Sequence, residues 1–160
     1  MSGEASFAHE GLLISILVPE SWEAEEISPE YIRFFAEAQK EYDDYRPTLS
    51  IRRGEPAGAG EKWFEEFCLR SLEKLEKEYR EFKHLYSDRF PLSSFADLHI
   101  AAYEWSPEPD RIFTQIQAMI YHTRYNFYLI NAAALKPLAD IFMPQFEQAI
   151  RSIRILPERR

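Results

Sequence analysis

Runs of apolar residues and alternating apolar and polar positions divide the first part of the chain into strands. Residues 12–18 form a continuous apolar run that ends at Pro19, which is typical of a buried strand followed by a turn. Further strands are predicted at residues 22–27, 31–36 and 48–53, the first two separated by a Ser28-Pro29 turn signal. The chain therefore opens as a strand meander.

The second half repeats this pattern with longer strands. A strand at 84–90 and a turn at 91–95 precede three strand-like runs, at 98–105, 112–123 and 125–133, with a tight turn near Arg124. Connections this short force neighbouring strands to be antiparallel. These strands predict one antiparallel sheet.

Two amphipathic helices complete the pattern. Residues 61–82 carry apolar positions at intervals of three and four: Phe64, Cys68, Ser71, Leu72, Leu75, Tyr79 and Phe82. The last helix has one stripe made of Leu138, Phe142, Phe146, Ile150 and Ile153, with Pro144 predicted in its first full turn. The predicted fold class is α+β: a single domain over residues 1–160, with an antiparallel sheet of about six strands flanked by two main helices.

Two connections interrupt the pattern. Residues 37–45 are acidic and aromatic without a clean period, so both a short helix and a surface loop fit them. Residues 54–60 contain three glycines and a proline, which predicts a flexible connection.

Composition and charge exclude several classes of function. The chain has 160 residues and a formal net charge of −8, which argues against nucleic acid as a partner because phosphate binding needs a basic face. The single cysteine, Cys68, cannot form an intramolecular disulfide and is expected to be a buried thiol. No secretory leader and no apolar run long enough to cross a bilayer is recognisable, so we expect a cytoplasmic protein that does not span a membrane.

The residue types that carry catalysis and metal binding lack the necessary spacing. The four histidines, His9, His84, His99 and His122, have no carboxylate or cysteine at metal-ligand spacing. The clustered acids Glu25, Glu26, Asp43 and Asp44 lack the spacing and central glycine of a calcium loop, and a solvated acidic surface is favoured. No serine stands in the glycine-flanked elbow of a hydrolase. We therefore expect no enzyme activity, no cofactor and no metal.

One face of the strand at 112–123 is the best candidate for recognition. Alternation places Ile116, Ala118 and Ile120 on one face. The other face carries Gln115, Gln117, Met119 and Tyr121. Amide, thioether and phenol groups suit adaptable protein recognition, because they combine hydrogen bonding with apolar area. The alternative interpretation is that the second helix packs on this face and these residues are ordinary half-buried ones.

A cleft between the first helix and the sheet is a second candidate site. Trp63, Tyr79 and Tyr103 would line it if the domain bound a small molecule or acted as a minor enzyme. Aromatic residues at helical or strand spacing are more often core residues, and that interpretation stays open for all three.

The order of these elements resembles the PsbP-like fold. The resemblance rests on a strand ending Leu17-Val18-Pro19 with Trp22 after it, the strand at 48–53, the long helix, Gln115 and Gln117 in the penultimate strand, and a closing helix containing Phe146, Ile150 and Ser152. The group includes photosystem II accessory proteins, a nuclear-transport factor that acts on the GTPase Ran, and bacterial DcrB-like proteins. The resemblance implies an antiparallel sheet flanked by helices and a binding or assembly role without catalysis.

Within that group, a small, acidic, leaderless chain is most similar to the chaperones of type VI secretion effectors. This implies a cytoplasmic chaperone or adaptor that shields the hydrophobic segments of an effector, acting as a homodimer. The alternatives are the small-molecule site beside the first helix and, if a leader was removed, a photosystem accessory protein.

Overall fold

The computed structural model describes residues 3–39, 41, 45–55, 58–122 and 127–156. The strands are β1 Glu4–His9, β2 Ile14–Pro19, β3 Glu23–Ser28, β4 Tyr31–Phe35, β5 Thr48–Gly54, β6 Lys83–Ser93, β7 Ala96–Glu108, β8 Arg111–His122, β9 Phe127–Leu135 and β10 Arg154–Ile155. The helices are α1 Glu61–Glu78 and α2 Ala139–Arg151, the latter preceded by a turn of 3-10 helix at Lys136–Leu138.

Seven strands form one antiparallel sheet in the order β3-β4-β5-β9-β8-β7-β6. A smaller antiparallel sheet, in the order β1-β2-β10, joins the first and last strands of the described chain. The predicted α+β fold class is confirmed, with seven strands in the main sheet instead of about six and a second small sheet that the pattern did not predict.

The larger hydrophobic core lies between the main sheet on one side and α2 with the small sheet on the other. The β8 residues Ile116, Ala118 and Ile120 point into it and are fully buried, as alternation predicts. Phe146 of α2 packs against Trp22 with ring centroids 5.6 Å apart. We call this side of the main sheet the inner face.

Helix α1 packs on the opposite side of the main sheet, which we call the outer face. Gly60 precedes the helix with φ 93, a backbone conformation that glycine adopts without strain. The helix ends at Glu78, so the predicted helix over 61–82 is four residues too long. Tyr79 already has extended backbone, and Glu81 has φ 55 in the turn that leads into β6.

The structure adds one strand and corrects two further sequence predictions. β1 was not predicted, because its six residues are only half-buried at best. The predicted turn at 91–95 is shorter, since β6 continues through Ser93; Pro91 is tolerated there because β6 is an edge strand. Pro144 is the sixth residue of α2, beyond the first turn. The tight turn predicted near Arg124 lies outside the described residues.

Candidate functional site

The predicted recognition face of β8 is divided in two by α1. Met119 and Tyr121 lie beneath the helix and are buried, at 1% and 6% exposure. Gln115 and Gln117 lie beyond it and are half-buried. The first helix, and not the second, therefore covers half of the surface that the sequence predicted to receive a partner.

The covered half is a small second core. Met119, Tyr121 and Phe127 of the sheet pack against Phe64 and Cys68 of α1. The phenol oxygen of Tyr121 also accepts a hydrogen bond of 2.8 Å from the Gly60 backbone N–H, just before the helix begins. This bond ties the start of α1 to the sheet.

The two glutamines occupy the boundary of the covered region. The indole N–H of Trp105 donates to Gln115 Oε1, so one amide oxygen is already engaged within the chain. Gln117 stands between Ala101 of β7 and Asn131 of β9 in the sheet register. Gln117 thus belongs to a row of side chains that continues away from α1.

Two of the three cleft candidates, Tyr79 and Tyr103, contact each other, while Trp63 lies at the other end of α1. Trp63 packs at the beginning of α1, with its ring centroid 5.7 Å from that of Tyr121. Tyr79 follows the other end of α1, and its ring centroid is 5.9 Å from that of Tyr103. Tyr103 is 1% exposed, and burial raises the pKa of its phenol. All three rings contribute to packing between α1 and the sheet.

A cavity of about 220 Å³ does lie beside α1, between the helix and strands β6 and β7. Cys68, Arg89 and His99 are among its lining residues. Burial raises the pKa of the Cys68 thiol to about 12 and, together with the neighbouring Arg89, lowers the pKa of His99.

Arg89, one of the lining residues, forms ion pairs with acidic residues of α1 and β7. Its guanidinium lies 3.2 Å from Glu61, 3.8 Å from Glu65 and 3.2 Å from Asp97, measured between nitrogen and carboxylate oxygen. The first two acids belong to α1 and the third to β7. Arg89 therefore links the helix to the sheet through its charge.

The part of the outer face that α1 does not reach is formed by β4, β5 and β9. Strand register aligns its side chains in three rows that continue the β8 positions 115, 117 and 119. We call this surface the open face and define it by Tyr31, Arg33, Phe35, Ser50, Arg52 and Asn131. All six side chains are at least partly exposed.

Arginine and aromatic side chains stack on one another across the open face. The Arg52 guanidinium carbon lies 4.4 Å from the centroid of the Tyr31 ring, and that of Arg46 lies 5.3 Å from the Phe35 ring. Arg33 lies between the two rings, at 5.8 and 5.9 Å, and donates a 3.1 Å hydrogen bond to the Tyr31 oxygen. This hydrogen bond is the main reason that the pKa of Tyr31 is lowered.

Arginine side chains concentrate on and beside the open face, and its rows continue onto the exposed acids Glu23 and Glu25 of β3. Three arginines, at 33, 46 and 52, gather on a chain whose formal net charge is −8. Of these, Arg46 pairs with Glu23 at 3.3 Å at the sheet edge. A cavity of about 140 Å³ lies on this face and is lined by Tyr31, Ser50, Arg52, Leu129 and Asn131.

Sequence reasoning missed the open face, although a signal for it was present. Residues 31–35 alternate strictly, with Ile32 and Phe34 buried and Tyr31, Arg33 and Phe35 on the other side. That strand was predicted, but its arginine and aromatic side were not considered as a site.

The predicted acidic cluster lies only partly within the described residues. Glu25 and Glu26 are exposed on β3, and Glu26 pairs with His9 at 2.6 Å, while Asp43 and Asp44 lie outside the described residues. Across those ranges, no three His, Cys, Asp or Glu side chains come together as a metal-binding group. No helix there is both long and apolar enough to cross a bilayer.

Comparisons with known proteins show the fold. No family model and no curated protein sequence matches this chain. The Ran-binding protein Mog1p of Saccharomyces cerevisiae has a similar structure, at TM-score 0.62 and 12% identity over 98% of this chain and 97% of that one. Cyanobacterial PsbP (CyanoP) of Synechocystis sp. PCC 6803 is similar at TM-score 0.63 and 11% identity, covering 97% and 94%.

LpqN of Mycobacterium tuberculosis, involved in cell envelope biogenesis, is similar at TM-score 0.62 and 18% identity, covering 97% and 91%. The expected PsbP-like fold is confirmed by these structures.

Proposed function

We propose that this chain is a non-catalytic module that binds a protein segment on the open face of its main sheet. The observation that carries the proposal is the arginine and aromatic surface that α1 leaves uncovered. Arginine and tyrosine are enriched among the residues that dominate binding energy at protein interfaces. Mog1p, which shares the fold, is a Ran-binding protein, and this supports a protein as the partner.

The chemistry of the open face specifies the segment that fits it. The Tyr31 and Phe35 rings and the arginine stems offer apolar area, while the guanidinium groups attract carboxylates. The amides of Asn131 and Gln117 at the α1 boundary supply hydrogen bonds. The occupant is an apolar segment flanked by acidic residues, presented by another protein.

A chaperone or adaptor for a secreted effector is the specific form of this role that we propose. The open face would shield a hydrophobic segment of the effector in the cytoplasm until the effector is exported. Two copies acting as a homodimer would place two such faces against one client.

The test combines capture with matched surface variants. The tagged chain, an open-face variant Arg33→Gln/Arg52→Gln and a control Lys62→Gln/Lys74→Gln are used to capture partners from the native host. Both control lysines lie on the exposed side of α1, so the two variants lose the same charge. Captured proteins are identified by mass spectrometry, and their binding segments are mapped with peptides.

We expect a partner with an apolar, acid-flanked segment whose affinity falls at least roughly tenfold with the open-face variant only. A partner that both variants retain, or that the control loses equally, would contradict the proposal. Light scattering is carried out on the purified chain and on both variants. A dimer that dissociates only in the open-face variant would mean that a second copy occupies the open face instead of a client.

Small-molecule binding beside α1 is the second candidate, favoured by the cavity that holds Arg89 and His99. A thermal-shift screen of metabolites tests it, because a ligand at 100 times its dissociation constant adds about 2.7 kcal/mol to the free energy of unfolding. Loss of the shift in Arg89→Gln would place the ligand there.

A further inference from the structure

A second cavity lies on the inner face, between α2 and strands β6, β7 and β8. Its volume is about 320 Å³, at the lower end of the range for small-molecule sites. Most of the cavity wall is apolar. The strands contribute Leu85 and Ala102, and helix α2 contributes Met143 and Pro144. An apolar pocket with a few polar groups is the usual form of a ligand site.

Thr114, one of the residues that line the cavity, carries a buried hydroxyl without a partner among the described residues. Thr114 lines the cavity and is 4% exposed, yet its Oγ1 has no hydrogen-bond partner among the described residues. Buried hydroxyls are normally hydrogen-bonded, because leaving one unpaired costs free energy. A ligand in the cavity that bonded to Thr114 would remove that cost.

Pro144 creates the second polar group. Proline has no N–H, so it cannot donate to the carbonyl four residues earlier, which belongs to Asp140. Both residues line the cavity. The carbonyl oxygen of Asp140, a residue of the cavity wall, therefore lacks its usual helical donor.

The charged groups around the cavity are predominantly acidic. Glu104 and Asp140 are both in its wall, and the Glu104 side chain is only 15% exposed. Lys136 Nζ lies 3.3 Å from Glu104 Oε1, and the lysine side chain is the more exposed of the two. Asp140 stands in the first turn of α2, where its charge offsets the positive end of the helix dipole.

The polar atoms of the wall are therefore mainly hydrogen-bond acceptors in an apolar setting, with the ring of Tyr86 beside them. We propose that this cavity is a binding site for a primary ammonium group carried on a short apolar body. The ammonium has three donors, for Thr114 Oγ1, the Asp140 carbonyl and the Glu104 carboxylate. The apolar body lies against Leu85 and Met143.

Calorimetric titration of the full chain at neutral pH tests the proposal with three probes of equal length: pentylamine, pentan-1-ol and pentanoate. We expect saturable binding of the ammonium, binding of the alcohol weaker by roughly tenfold or more, and no binding of the carboxylate. Equal binding of all three, preference for the carboxylate, or no binding of the amine at millimolar concentration overturns it.

Variants locate the bound amine. Thr114→Val keeps the shape and removes only the unpaired hydroxyl, so the protein should stay folded while amine affinity falls several-fold. Glu104→Gln should weaken binding roughly tenfold, and Lys136→Gln should strengthen it because Glu104 is then unpaired. Lys74→Gln, on the exposed side of α1, removes one positive charge as Lys136→Gln does, so it serves as a control and should have no effect. Unchanged affinity in both Thr114→Val and Glu104→Gln overturns the assignment.

The same ammonium could come from a free amine or from a lysine of another protein. Nα-acetyl-lysine-N-methylamide presents it on a peptide backbone. Binding of pentylamine without binding of the capped lysine identifies a free amine as the ligand, and capped lysine that binds at least as tightly identifies a protein side chain. Binding of neither overturns the proposal. The site is remote from the open face, so its failure leaves the proposed function untouched.

Discussion

The two faces of the main sheet are built from the same strands but differ in how much of each is buried. On the inner face, β8 contributes three fully buried aliphatic side chains to a core closed by α2 and the small sheet. On the outer face, the alternate residues of the same strand pass from a buried Met119 to a half-buried Gln115 as α1 ends. The comparison teaches that the inner face holds the fold together, while the outer face needs only enough packing to dock one helix. Surface beyond that helix remains available for binding.

The largest expected effect is truncation of a core ring on the inner face. Phe146→Ala empties a fully buried site against Trp22 and should lower the free energy of unfolding by about 3–5 kcal/mol. Phe67→Ala removes a half-buried ring under α1 and should cost about 1–2 kcal/mol. Equilibrium denaturation in urea measures both, and equal losses would remove the distinction between the faces.

A matched pair of hydroxyl deletions makes the same comparison with less disruption. Tyr128 donates a 2.6 Å hydrogen bond to the Leu12 carbonyl in the inner core, so Tyr128→Phe leaves a buried acceptor unpaired and should cost about 1–3 kcal/mol. Tyr121→Phe on the outer face frees the N–H of Gly60, which is exposed and can turn to water, so about 1 kcal/mol or less is expected. A larger loss for Tyr121→Phe would contradict this ranking.

The thiol of Cys68 reports whether α1 leaves the sheet before the inner core unfolds. The side chain is buried and its pKa is about 12, so it should react with a disulfide reagent at pH 8 only after the helix opens. We expect an opening free energy below that of global unfolding, because the core beneath α1 is small. The measurement is the labelling rate as a function of urea concentration, compared with amide hydrogen exchange in β8. Equal values would mean that both faces open together.

The smallest effect is a pH dependence confined to the outer face. Burial and Arg89 lower the pKa of His99 in the folded state, while Asp88 raises it and His84 lowers it. Below the unfolded value of about 6.5 the unfolded chain binds the proton more readily, so stability is fully present above that pH and falls as the pH decreases through the folded pKa. His99→Gln should flatten this slope in denaturation series between pH 7.5 and 5.5. An unchanged slope would show that His99 is not responsible.

Local pattern was sufficient for most of the fold. Alternation in β8 predicted that Ile116, Ala118 and Ile120 share one face of the sheet, and all three are buried. The predicted end of α1 was wrong because Tyr79 and Phe82 continue the helical spacing of apolar residues, although the helix ends at Glu78. Both rings pack on Tyr103, and that tertiary contact explains their apolar character.

The candidate site could be predicted only in part. Sequence alternation found Gln115, Gln117, Met119 and Tyr121 on one face, but not that α1 covers the last two. The extent of that cover depends on where the Arg89 links and the Gly60–Tyr121 hydrogen bond hold the helix. Neither contact has a local signal, since each joins residues far apart in the chain.

The pairing of β2 with β10 determines when the small sheet can form during synthesis of the chain. Ser15 pairs with Arg154, and the Leu156 N–H donates to the Leu13 carbonyl at 2.7 Å. On the ribosome, the apolar strand β2 emerges before its second neighbour, β10, which follows every other described strand and helix. The small sheet must therefore close after translation of almost the whole described chain, and β2 is the segment that nascent-chain chaperones would have to protect meanwhile.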